Sequence, residues 1–188
     1  MVDNDDSRPV AAADLMQTGV EIRAATAADA VQLARIEQRC FDPAIYGHIL
    51  LSESEFRRMI GRSRVQVIVA AKADHVIGYA AVFYLRAKRL TWFYSHAVDR
   101  EYRGLGAGTR LFRRAEQLAV ANACPCMILE IRGKQELFRR YTRDGYQIVR
   151  EIPGFYPDGS TAIRMGKLLT AGDAAFPAPA SAQELAAV

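Results

Sequence analysis

The chain has 188 residues, of which 51% are hydrophobic and 24% charged, with a formal net charge of +4. This is the make-up of one globular domain that can bury a core, and with no run of eighteen apolar residues it excludes a membrane-spanning helix. Four aspartates against one arginine in residues 1–20, and one aspartate and one glutamate in 171–188, leave the stretch between them at +9. That balance suits an anionic ligand, but no aromatic-basic RNA motif accompanies it, so direct nucleic-acid binding is not expected.

The acidic start, Met1-Val2-Asp3-Asn4-Asp5-Asp6, lacks the apolar segment of a secretory signal, so the expected compartment is the cytoplasm. Residues 1–18 are polar and aperiodic, and 171–188 are Ala-rich with Pro177 and Pro179; both read as flexible, leaving 19–170 as the working domain. Cys40, Cys124 and Cys126 make no disulfide framework. Cys124-Pro125-Cys126 is one residue short of a CxxC pair and has no second pair, so the reading is buried thiols and no metal.

In chain order, Val20–Arg23 alternates apolar and polar residues, as a short strand does. Thr26-Ala27-Ala28-Asp29 and Ser52-Glu53-Ser54-Glu55 have capping-box spacing and open two helices. Leu33 and Ile36 mark the buried stripe of the first. Phe56, Met59 and Ile60 mark that of the second, which Gly61 ends. Val65–Ala71 and Val76–Leu85 read as a hairpin about the turn Ala73-Asp74-His75. Leu90–Val98 is a third strand, followed by a glycine-rich loop and a helix over Ala107–Ala121 with Leu111, Ala115 and Leu118 inward. Met127–Ile131, Gly145–Glu151 and Ala162–Leu168 read as strands, with a helix over Gln135–Arg143. The order β-α-α-β-β-β-α-β-α-β-β gives an α/β (α+β) fold: a mixed, mostly antiparallel sheet of six to seven strands with helices on both faces.

The informative feature is Arg103-Gly104-Leu105-Gly106-Ala107-Gly108, between a strand and a helix N-terminus. Unpaired N–H groups and a partial positive charge at such a terminus bind phosphates, and glycines let the backbone approach closely. No Lys-Ser/Thr follows, so the loop is not a Walker A motif. The strictly alternating glycines and the antiparallel setting also exclude a Rossmann dinucleotide site.

These residues match the Q/R-x-x-G-x-G/A motif of the GNAT acetyltransferases, and Ala97–Gly104 resembles that family's approach to the loop, with Arg100 where Pro is usual. Leu129-Glu130-Ile131-Arg132, Tyr141-x-x-x-Gly145-Tyr146 and Phe155-Tyr156-Pro157-Asp158-Gly159 make the chain most similar to the ribosomal-protein-alanine N-acetyltransferases and their relatives that act on protein N-termini. The resemblance implies a GNAT fold and acetyl-CoA as cosubstrate, with its pyrophosphate on Arg103, Gly104, Leu105, Gly106, Ala107 and Gly108. It also implies that the pantetheine arm pairs with the backbone of His96, Ala97 and Val98 like an added strand, the Val98 N–H serving as oxyanion donor. Glu130 is implied as the general base and Tyr141 as the acid near the CoA sulfur. The readings open beside these are a structural carboxylate paired with Arg132 or Arg164, and a core aromatic.

Other residues read in two ways. His96 reads as an ordinary strand residue or a second base, and Trp92, Phe93 and Tyr94 as core, with Tyr94 able to face the acceptor. Arg132-Gly133-Lys134-Gln135 departs from the relatives' Arg-x-x-Asn, leaving Gln135 as a substitute for the Asn. Phe41–Leu51 and the turn Tyr156-Pro157-Asp158-Gly159 stand where relatives border the acceptor, but the Pro-Trp pair of the ribosomal-alanine enzymes is missing. The leading reading is acetylation of a protein or peptide N-terminal amine. Acetylation of a small amine (amino acid, polyamine or antibiotic) and a non-catalytic CoA-binding regulator stand as alternatives, with the chain a monomer or homodimer.

Overall fold

A computed structural model describes residues 19–133 and 135–170. The segments read as flexible, 1–18 and 171–188, fall outside the described residues. The elements are β1 (Val20–Ala24), α1 (Ala30–Cys40), α2 (Pro43–Tyr46), α3 (Glu53–Met59), β2 (Val65–Lys72), β3 (His75–Leu85), β4 (Leu90–Val98), α4 (Ala107–Ala121), β5 (Cys126–Arg132), α5 (Gln135–Arg143), β6 (Gln147–Ile152) and β7 (Ala162–Leu168). The short helix α2 lies within Phe41–Leu51, a segment to which the sequence pattern assigns no element. Its start is set by Asp42, whose side chain accepts from the Ala44 N–H, and by Pro43 at the first turn.

Both capping boxes form. Asp29 accepts from the Thr26 N–H at 2.7 Å, and Glu55 from the Ser52 N–H at 2.7 Å. Asp29 is also held by both terminal nitrogens of Arg23, at 2.8 and 2.9 Å, which ties β1 to the entry of α1. These bonds satisfy donors that a helix start otherwise leaves open.

The seven strands form one sheet in the order β1-β2-β3-β4-β5-β7-β6. Every neighbouring pair is antiparallel except β4 and β5, which run parallel. Strand β3 is apolar almost throughout because both its faces are covered. Ile77, Ala80 and Val82 meet α4 with Leu111, Phe112 and Ala115, while Tyr79, Ala81 and Phe83 meet α1 and α3 with Leu33, Ile36 and Phe56. Burying each such large apolar side chain is worth about 1.5–3 kcal/mol, so helices on both sides fix the sheet's middle.

Two irregularities position the site. Ala81 faces Ser95 and Val82 faces Phe93, so Tyr94 is an extra residue bulged out of β4. The parallel pairing of β4 with β5 runs only from Leu90↔Cys126 to Phe93↔Leu129 and stops where the bulge begins. Beyond it the two strands diverge.

Candidate active site

The gap between the diverging strands opens into a cleft of about 1730 Å³ that passes through the sheet. The backbone of β4 faces it with unused groups. The Asp99 N–H bonds to the Ile77 carbonyl, so by the alternation of an antiparallel ladder the N–H and C=O groups of His96 and Val98 point away from β3, toward the gap. The Val98 carbonyl there already accepts from Arg103 Nε at 3.4 Å and from the Cys40 thiol at 3.5 Å.

At one end of the cleft stands the start of α4. Gly104 and Gly106 have φ of +85° and +73°, which side chains rarely adopt, and a Cβ at either position would point into open space. The first helical bond runs from the Arg110 N–H to the Gly106 carbonyl, so the N–H groups of the turn before it have no partner within the helix. Arg100, Arg103 and Arg140 border the same end. This donor set, free N–H groups on a glycine turn among arginines, fits a diphosphate. Of the loop positions singled out in the sequence, all but Leu105 line the cleft. Lys134 and the side chain of Gln135 lie outside the described residues, so the Asn substitution is not placed. Among the described residues no group of three His, Cys, Asp or Glu is arranged to hold a metal.

His96 turns its ring toward Gly108 and Phe93, and its Nε2 is buried without a hydrogen-bond partner among the described residues. Burial, then the charge of Arg140, holds its pKa down at about 4. A neutral imidazole of that kind is a weak proton acceptor near pH 7. Tyr141 also lines the cleft, in a cluster with Phe112 and Tyr146 at ring distances of 5.3 and 5.9 Å. Burial raises its pKa, so it stays protonated and can donate.

Glu130 lines the cleft at the end of β5, with both carboxylate oxygens engaged. Oε2 accepts from Trp92 Nε1 at 2.6 Å, and Oε1 pairs with Arg164 Nε at 2.5 Å. Of the two partners read from the sequence, Arg164 is the one that pairs with it, being its register neighbour on β7. Arg132 instead bridges to Asp158 at 2.7 Å, tying β5 to the β6–β7 loop.

The sequence reading missed Glu37. It lies on α1, is 3% exposed, and lines the cleft. Its Oε1 accepts from the Leu51 N–H at 3.1 Å, and its Oε2 from the Tyr79 hydroxyl. Burial pushes its pKa up to about 7, against the pull of those two hydrogen bonds and with Glu55 adding to the rise. A carboxyl group poised there exchanges protons at neutral pH. The signal was present in the helical spacing, since Glu37 falls four residues after Leu33, on the inner stripe.

Tyr94, the bulged residue, stands over this end of the cleft, and burial, then Glu37 and Glu55, raises its pKa to about 12. The two segments expected to border an acceptor meet one another. Tyr46 packs edge-on against Tyr156 at 5.5 Å and against Phe41 at 5.0 Å. A Cβ on Gly47 would come within 3.3 Å of Pro157. Aromatic rings thus bridge α2 and the β6–β7 loop across the mouth.

Known proteins share the fold. An uncharacterized N-acetyltransferase of Methanocaldococcus jannaschii is 43% identical over 76 residues, which are 39% of this chain and 48% of that one, so the match spans about half of that relative's length. The fold is similar to that of the ribosomal-protein-S18-alanine N-acetyltransferase from Escherichia coli, with a TM-score of 0.68 and 20% identity over 84% of this chain and 99% of that one. It is also similar to the PaiA N-acetyltransferase from Thermoplasma acidophilum in complex with coenzyme A, with a TM-score of 0.64 and 17% identity over 79% and 98% of the two chains. The model of the acetyltransferase (GNAT) family matches residues 30–142, more than half of the sequence and the whole stretch from α1 through the glycine turn to Tyr141, and the chain belongs to that family.

Proposed function

We propose that this protein moves an acetyl group from acetyl-CoA to a primary amine by direct attack, and that the amine is the N-terminus of a protein or peptide. The observation that carries the transfer is the divergence of β4 from β5. It puts free backbone groups, the glycine turn and two buried carboxylates in one cleft. Acetyl-CoA supplies an activated thioester carbonyl. The turn at Gly104–Gly108 holds its diphosphate, the backbone of His96 and Val98 lines its arm, and the Val98 N–H faces the thioester oxygen. Tyr141 donates a proton toward the departing sulfur. Glu130, fixed by Arg164 and Trp92, presents carboxylate lone pairs in the cleft that accept a hydrogen bond from the amine. Glu37, with a pKa near neutrality, takes the proton that the amine must lose.

The peptide reading draws support from the length of the cleft, which continues past Met59 to Arg58 and Arg62 on the α3 side, farther than an isolated amine requires. It is in keeping with the likeness to the S18-alanine enzyme. The Tyr46–Tyr156 bridge narrows the mouth and favours the second reading, a small amine. A thiol-release assay with acetyl-CoA and an alanine-starting peptide, spermidine or a free amino acid decides. The peptide should react fastest, and preference for either small amine overturns the peptide reading. Binding of acetyl-CoA without thiol release from any of them would make the protein a regulator.

A further inference from the structure

Glu37 borders the cleft, but both of its carboxylate oxygens are engaged inside the protein, Oε1 by the Leu51 N–H and Oε2 by the hydroxyl of Tyr79, which is itself fully buried. Tyr79 projects from β3 toward α1. Its hydroxyl meets the Oε2 of Glu37 on one side and the Oγ of Ser95, 2.8 Å away, on the other. Ser95 is half-buried, follows the bulged Tyr94 in β4 and lines the cleft. We propose that Ser95, Tyr79 and Glu37 form a proton relay that carries the proton of the acceptor amine from the cleft to the buried carboxylate; the proposal rests on the acetyltransferase reading above.

The direction of the chain follows from counting hydrogens. An ionised carboxylate only accepts, so Tyr79 must donate its single O–H to Glu37. The Tyr79 oxygen then accepts from Ser95, which spends the single hydrogen of Ser95 as well. What Ser95 has left to offer the cleft is a lone pair, and the group that matches it is an N–H donor. When the amine gives its proton to Ser95 Oγ, Ser95 passes its own to Tyr79 Oη, and Tyr79 passes its own to Glu37 Oε2. Three O–H bonds form as one N–H and two O–H bonds break, the amine keeps its electron pair for attack, and Glu37 ends neutral. Each hydroxyl gains a proton as it loses one, so neither a tyrosinate nor an oxonium accumulates. The chain now points the other way, with Ser95 donating outward.

The groups facing Glu37 suit this endpoint. Leu51 gives it one N–H from the segment before α3. Among the described residues, Glu55 on α3, Tyr46 on α2, and Tyr79 and Tyr94 on β3 and β4 are titratable side chains that interact with it. These are carboxyl and phenol groups, which do not hold a carboxylate ionised, and burial leaves it ready to take a proton near pH 7. Ser95 is the catalytic member, because it meets the amine; Tyr79 and Glu37 act through it.

The test compares wild type with Ser95→Ala, Ser95→Thr, Tyr79→Phe, Glu37→Gln and the Ser95→Ala/Glu37→Gln double variant. It uses acetyl-CoA and whichever of the alanine-starting peptide, spermidine or free amino acid the wild type turns over fastest. Thermal shift with acetyl-CoA reports folding and cofactor binding separately. Ser95→Ala should lower kcat by about 10²-fold, with the KM for acetyl-CoA and the thermal shift kept, and Ser95→Thr should recover most of the rate. The rise of kcat/KM with pH through about 7 should vanish in Ser95→Ala and Glu37→Gln alike, and the double variant should be no slower than Glu37→Gln. Full kcat in Ser95→Ala, a loss confined to KM, or additive losses in the double variant would overturn the relay while leaving the acetyltransferase reading intact. Wild type that binds acetyl-CoA yet releases no thiol with any of the amines overturns both. Ser95 and its Thr variant carry the decision even if the buried Tyr79→Phe does not fold.

Discussion

Arg164 on β7 and Glu130 on β5 stand opposite one another and pair Nε to Oε1 at 2.5 Å, with only 1% and 6% of their side chains exposed. Both charged groups are almost wholly buried, and the attraction between them offsets the cost of burying each. Arg164→Met removes the cation and leaves the carboxylate buried, with Trp92 still donating to its other oxygen. Urea unfolding should show a loss of about 3–5 kcal/mol, with much of it recovered by adding Glu130→Leu. A loss below about 1 kcal/mol, the range of an exposed pair, would mean that water screens the site.

Glu37 links activity and stability to the same proton. Its pKa rises from an ordinary 4.5 to about 7 on folding, so the native state holds this proton more tightly than the unfolded chain does. The resulting stability is fully present below pH 4.5 and is lost as pH rises through 7. Relative to Glu37→Gln, the wild type should therefore lose on the order of 3 kcal/mol between pH 4.5 and about pH 8. Urea midpoints of both proteins across that range measure it, and a constant difference would contradict it.

Asp29 gives the opposite sign. Its pKa falls from 3.8 to about 2, chiefly through the hydrogen bond from Arg23 and, against the opposing effect of burial, through those from Thr26 as well. Its contribution is present above pH 3.8 and is lost as pH falls through 2. Asp29→Asn should cost about 2 kcal/mol at neutral pH and nearly nothing below pH 2. A deficit that persists in acid would assign the effect to packing instead.

Cofactor binding and chemistry should separate by residue. Gly106 has a φ of +73° at the N-cap of α4, and a β-branched side chain there is strained by about 1–2 kcal/mol. Gly106→Val should largely abolish the rise in Tm that acetyl-CoA gives the wild type. Tyr141→Phe should keep that rise and slow thiol release by about 10- to 100-fold. Full turnover in Tyr141→Phe would remove it as the acid.

The glycine turn was legible in the sequence because its chemistry is local. A strand, three alternating glycines and a helix follow one another over Leu90–Ala121, and the helix bounds Ala107–Ala121 follow from the spacing of Leu111, Ala115 and Leu118. The period-two and apolar runs likewise placed every strand to within two residues. The acceptor side was not legible, because it is made by distant segments. Tyr46 meets Tyr156 and Glu37 meets Tyr79 only after the sheet has closed. Glu37 was missed because the inner stripe of α1 was traced by its apolar members, Leu33 and Ile36, and a carboxylate at the next inward position breaks that pattern. The partner of Glu130 depended on the β5–β7 register, which no local pattern fixes.

The parting of β4 from β5 gives this sheet two borders in its interior as well as the two at its ends. At the outer borders, β1 and β6, each strand has a neighbour in the sheet on one side only. The inner ones lie inside a cleft bordered by helices, out of line with the outer edges of the sheet. The inner face of β4 is thus kept free without the charges or prolines that usually protect an exposed edge, and its amides at His96 and Val98 should exchange with solvent like those of an outer strand until a slender guest occupies the gap.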